Sequence, residues 1–122
     1  MQKLEDDRLK NKNFIDAWKK AFNGIWYAIK TQRNVKIQLS IAVVIIAICI
    51  IAKPSKVECI FLTFATMLVI IAEVMNTAIE ATVDLVTKEY HPMAKIAKDV
   101  AAGAVVLAAI NAVIVAILII FM

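Results

Sequence analysis

Residues 73 to 84 read Glu73-Val74-Met75-Asn76-Thr77-Ala78-Ile79-Glu80-Ala81-Thr82-Val83-Asp84. On a helix that advances about 100° per residue, Glu73, Asn76, Glu80 and Asp84 fall inside one arc of roughly 80°. Val74, Met75, Ala78, Ile79, Ala81 and Val83 occupy the remainder, so an acidic stripe runs along an otherwise apolar helix. Carboxylate and amide oxygens suit a hard divalent cation, and a carboxylate can also serve as a general base. Ionisable groups in apolar segments are costly and usually functional, although a structural polar seam between helices is the plainer alternative. Beyond the stripe, Glu89-Tyr90-His91-Pro92 and then Lys98-Asp99 place an imidazole and an ammonium within reach of the acids.

The elements that carry these residues are read from apolar runs. The chain has 122 residues, 62% of them apolar, with only two Gly and two Pro. This composition predicts one all-α integral membrane domain over residues 1–122. Val100 to Met122 holds 23 residues without a charge, enough to cross a hydrocarbon core of about 30 Å. Ile37 to Ala52 is shorter, at 16 uncharged residues, with Lys36 and Lys53 placed to snorkel from its ends. Val57 to Lys88 contains no helix breaker and at about 1.5 Å per residue reaches roughly 48 Å, so its C-terminal turns must leave the bilayer. Counting about 20 residues from Glu58 puts Glu73 a few residues inside the near boundary, with Glu80 and Asp84 at or beyond it. The predicted transmembrane helices are therefore 35–52, 57–88 and 93–121.

Ahead of them, Met1 to Lys12 is charged and expected to fray. Phe14, Trp18, Phe22, Ile25 and Ile29 then recur at helical spacing opposite Asp16, Lys19, Lys20, Asn23 and Lys30, predicting an amphipathic surface helix over 13–31. No apolar stretch follows Met1 directly, so a secretory leader is not expected. Pro54 suits a helix start, and Pro92 ends the helix before it. His91 is as readily an interfacial cap as a ligand, and Asn111 reads as an interhelical hydrogen-bonding residue. Cys49 and Cys59 are expected to pack as small apolar residues, since neither CxxC spacing nor a neighbouring His points to a disulfide or metal pair.

Basic residues set the topology. Nine Lys and Arg precede or include Lys36, two lie in the first loop, three in the second, and none follow Asp99. The N-terminus and second loop are thus expected in the cytoplasm and the C-terminus outside the cell membrane. The net charge of +4 flanks apolar spans rather than aromatic loops, which favours anionic lipid head groups over nucleic acid.

Carboxylates at a cytoplasmic membrane boundary beside Lys98 and His91 suit phosphoryl transfer from a metal nucleotide to a lipid hydroxyl. By its depth Glu73 could take the proton from an alcohol anchored in the bilayer. Gly24 and Gly103 are the only glycines, so a nucleotide site has to be built from side chains rather than a glycine cradle.

The spellings Glu73-x-x-Asn-Thr-Ala-Ile-Glu80-x-x-x-Asp84, Glu89-Tyr90-His91-Pro92 and Ala97-Lys98-Asp99-x-Ala-Ala-Gly103-Ala resemble the small prokaryotic diacylglycerol kinase family, which includes the undecaprenol kinases of Gram-positive bacteria. The resemblance covers essentially the whole chain, and the His-Pro-x-Ala-Lys and Asn-Thr-Ala-Ile-Glu spellings are closer to the undecaprenol branch. It implies a homotrimer with active sites between subunits and Mg²⁺-ATP as donor. Glu73 would be the catalytic base and Glu80 a metal ligand, with nucleotide contacts at Asn76, Glu89, Tyr90, His91, Lys98 and Asp99. Asp84 would support the stripe. Where the family has Glu before the first span, this chain has Gln32 in Thr31-Gln32-Arg33-Asn34. Gln32 would stand at the second metal position with an oxygen but no charge.

Two other classes fit parts of the pattern. A small oligomeric proton-coupled transporter needs a carboxylate reachable from both sides, whereas these acids cluster at one boundary. A non-catalytic membrane assembly protein would follow if Gln32 had abolished metal binding.

Overall fold

The computed structural model describes residues 2–121, with side chains at 6–11 excepted, as four helices. They are α1 (Gln2–Thr31), α2 (Arg33–Ile51), α3 (Lys56–Val86) and α4 (Pro92–Phe121). α2, α3 and α4 are each long and apolar enough to cross a membrane. The helix that carries the aromatic stripe begins at Gln2 rather than near residue 13. Gln, Lys, Leu, Glu and Arg dominate its opening turns and are strong helix formers, and Glu5 lies in the first turn where the helix dipole favours an acid. Charge density alone therefore gave too short a helix.

Each break has a local cause. α1 and α2 are parted only at Gln32, whose extended backbone (φ −111°, ψ 115°) interrupts the helical path. After α2, Lys53 adopts φ 47°, the left-handed conformation common just past a helix C-terminus, and Pro54 prevents resumption. Ser55 then caps α3 by accepting a hydrogen bond from the Glu58 amide at 3.2 Å, the first half of a Ser-x-x-Glu capping arrangement. At the other end of α3, the Thr87 hydroxyl accepts from the Glu89 amide at 3.1 Å and tightens the second loop. Pro92 opens α4, and the His91 Nδ1 caps it by accepting from the Met93 amide at 3.1 Å.

α3 is the hub. It packs along α4, more briefly along α2, and touches α1. Its buried face is Ala65, Val69, Glu73 and Thr77, one residue every fourth position. Ala101 and Ala108 are the buried positions of α4. Small residues allow close helix approach where lipid removes the usual hydrophobic drive for association. Large side chains such as Ile46, Phe64, Leu107 and Ile117 are about half exposed or more, as expected of surfaces that face lipid. With 31 residues, α3 extends roughly 46 Å and overshoots a bilayer core of about 30 Å.

Candidate active site

Glu73 continues the buried ridge of α3 and is only 6% exposed. It and Thr77 are the buried polar side chains among the described residues. The Thr77 hydroxyl donates to the Glu73 carbonyl at 2.9 Å, which satisfies Thr77 within its own helix and leaves the carboxylate untouched. The Asn76 Nδ2 donates to Glu80 Oε1 at 3.2 Å. Asn76 Oδ1 is buried without a hydrogen-bond partner. A buried unpaired amide oxygen carries a desolvation cost, so its orientation beside a carboxylate calls for a cationic or hydrogen-donating ligand.

At the end of the stripe, Lys98 Nζ lies 2.7 Å from Asp84 Oδ1 and joins α4 to α3. Lys95 pairs with Asp99 at 2.6 Å along α4. The loop and the first turns of α4 enclose a cleft of about 410 Å³ that brings together Glu89, Tyr90, His91, Lys98 and Asp99. Five of the residues singled out from sequence thus share one surface. Asn76 does not line this cleft; it lies on the stripe with Glu80. The rise from Glu73 to Asp84 is about 16 Å, so buried acid, amide-carboxylate pair and cleft succeed one another along α3.

The same cleft is lined by Thr87, Lys88 and Lys95, which the sequence reading did not assign to the site. Lys95 was detectable from its place one turn before Lys98. Thr77 was detectable as the fourth residue after Glu73 on the same helical face. His91 spends its Nδ1 on the α4 cap, leaving Nε2 as the nitrogen able to meet a ligand. Gln32 sits at the N-cap position of α2, but its side chain makes no capping hydrogen bond.

The profile of the prokaryotic diacylglycerol kinases matches residues 19–120, which take in the stripe, the loop and the cleft just described. The chain belongs to this family. Among its relatives, a diacylglycerol kinase of Synechocystis sp. is 44% identical over 84% of this chain and 59% of that protein. The undecaprenol kinase of Bacillus subtilis is 38% identical over 94% of both chains. The diacylglycerol kinase of Escherichia coli is 47% identical over 45% of each. The chain therefore spans less than two thirds of the Synechocystis relative but nearly all of the B. subtilis one. With three apolar helices and membership in a family of lipid kinases, it is an integral membrane protein.

Magnesium is the metal that a kinase site implies. Among the described residues no three His, Cys, Asp or Glu side chains form a metal cluster. The donors that are present nevertheless fit this ion. Asn76 Oδ1 and the Glu80 carboxylate are hard oxygens, and Mg²⁺ is usually held by one or two carboxylates together with water and substrate phosphates.

Proposed function

We propose that this protein is an ATP-dependent lipid kinase that transfers the γ-phosphate of ATP to the hydroxyl of a membrane lipid, with undecaprenol preferred over diacylglycerol. The observation that carries the reading is the burial of Glu73 on the α3 seam, with Asn76, Glu80 and a lysine-bearing cleft following it toward one end of the helix.

The nucleotide would occupy the second-loop cleft. Tyr90, 79% exposed, offers a ring face to a base, while Glu89, His91 Nε2 and Asp99 offer polar contacts. Lys98 would leave Asp84 to meet the phosphates. Glu80 and Asn76 Oδ1 would hold Mg²⁺, with Gln32 as a weaker neutral donor. When bound, the ion supplies neutralisation of phosphate charge and geometry for in-line transfer. Glu73 accepts the proton of the lipid hydroxyl as the hydroxyl oxygen attacks the γ-phosphorus, and the bond to the bridging oxygen of ADP breaks. Burial of Glu73 keeps water from competing with the lipid for this base.

This reading places the enzyme in the cell membrane with its N-terminus and second loop in the cytoplasm, where ATP is available, and its C-terminus outside. The distribution of fourteen Lys and Arg supports that orientation, twelve on the cytoplasmic side and two on the other. The assembly is a homotrimer whose sites lie between subunits, a reading supported by family membership and by the large exposed side chains on all three spans. The preference for undecaprenol rests on the end-to-end match with the B. subtilis enzyme; the Synechocystis relative favours diacylglycerol as the second acceptor.

The test is ATP consumption and lipid phosphorylation by the purified protein in one bilayer, without acceptor and with undecaprenol or diacylglycerol. Turnover only with a lipid alcohol is expected, and a higher specificity constant for diacylglycerol reverses the preference. ATP consumption that ignores the lipid, or none with either acceptor, removes the kinase reading.

A further inference from the structure

Cys49 lies near the C-terminal end of α2 and Cys59 in the first turn of α3, on either side of the turn through Lys53 and Pro54. Sequence spacing gave no reason to pair them. The fold does: both are free thiols of intermediate burial, and both line one apolar cavity of about 230 Å³ between α2 and α3, with Ile46 and Thr63 beside them. The Cys59 Sγ approaches the Pro54 carbonyl at 4.0 Å, on the turn that leads back to α2. Two thiols that line one small cavity across a helical hairpin are placed as neighbours, and bridging them requires Cα atoms about 4.4–6.8 Å apart.

We propose that Cys49 and Cys59 are a reversible redox pair whose intramolecular disulfide staples α2 to α3. One thiolate attacks a sulfur of a disulfide-bearing oxidant and breaks the oxidant's S–S bond. The second thiolate then attacks the protein sulfur of the resulting mixed disulfide and displaces the oxidant's remaining thiolate. The Cys49–Cys59 bond forms, and the oxidant departs as two thiols carrying the two electrons and two protons. The orientation proposed above puts this turn outside the membrane, where disulfides persist; the staple's location in the cell rests on that reading, whereas its chemistry does not. Cys59 is about 32 Å along α3 from Glu80 at helical rise, so the bond fixes the end of the hub helix remote from the acidic stripe.

The experiment oxidises the reduced, purified protein in lipid vesicles with oxidised glutathione, then counts free thiols and measures intact mass. The expected result is loss of both thiols, a mass lower by two hydrogens, migration as a single chain on a non-reducing gel, and full reversal by dithiothreitol. Cys49→Ser and Cys59→Ser should each abolish the two-hydrogen loss. Persistence of both thiols in the parent protein, a stable glutathione adduct on each cysteine, or covalent dimers as the product would overturn the pairing. None of these readouts uses ATP or an acceptor lipid, so failure of the staple and failure of the kinase reading are separate results.

Discussion

The ammonium of Lys98 lies 2.7 Å from the carboxylate of Asp84 and ties the early turns of α4 to the last turns of α3. Lys98 also lines the cleft with Glu89, Tyr90 and His91, so Asp84, from outside that lining, holds the cation that the proposed site directs at phosphate. Both side chains are more than two-fifths exposed, and a solvent-screened pair of this kind contributes little to stability. Asp84→Asn should therefore leave folding almost unchanged while altering where Lys98 rests. The expected result is a several-fold rise in KM for ATP with kcat reduced less; Lys98→Ala should reduce kcat/KM much further. Unchanged nucleotide kinetics in both variants would separate this pair from the site.

The burial of Glu73 gives a sharper expectation. Glu73→Gln preserves shape and hydrogen-bonding capacity but cannot accept the hydroxyl proton, so turnover should fall by about 10² to 10⁴. Assembly, followed by size-exclusion chromatography in detergent, should be unaltered. Near-parental turnover in a well-assembled variant assigns the base elsewhere.

The parts of this architecture that were legible in the sequence are those set by one-dimensional signals. Uncharged runs marked the three spans, Pro54 and Pro92 marked the breaks between them, and the three- and four-residue spacing from Glu73 to Asp84 grouped the stripe on one face. The second-loop residues could be grouped because they are near in sequence. Pairings across helices were not legible. Lys98 was expected near the acids as a group, but its contact with Asp84, and the placement of Cys49 and Cys59 at one cavity, depend on how each hairpin turn rotates one helix against the next, and the left-handed Lys53 that shapes the first turn has no glycine to announce it. The early start of α1 was obscured because charge pattern outweighed helix propensity in reading Met1 to Lys12.

Topology can be read directly by thiol labelling in intact cells. In a background with Cys49 and Cys59 replaced by Ser, a cysteine at Ser55 should react with a membrane-impermeant reagent from outside. One at Lys95 should react only after permeabilisation. The opposite pattern would put Asp84, Lys98 and the cleft on the side without ATP, which the kinase reading does not survive.

Gln32 supplies the last expectation, because it stands where family resemblance calls for a carboxylate and because its side chain takes no part in capping α2. An amide oxygen can still approach Mg²⁺, but a hard cation is held more weakly when a charged ligand is replaced by a neutral one. Since Mg²⁺ leans on water and substrate phosphates, one missing protein charge should weaken binding rather than abolish it. The parent enzyme should thus need high free Mg²⁺, beyond that complexed with ATP, and respond to it over a broad range. Gln32→Glu should move half-saturation to lower Mg²⁺ at fixed MgATP. Glu80→Gln should remove most activity, because it neutralises the carboxylate that receives the Asn76 hydrogen bond at 3.2 Å and deprives the proposed metal position of its remaining charged ligand. A Mg²⁺ titration that Gln32→Glu leaves unmoved would place position 32 away from the metal, and the weaker site would then have to be explained by Asn76 and Glu80 alone.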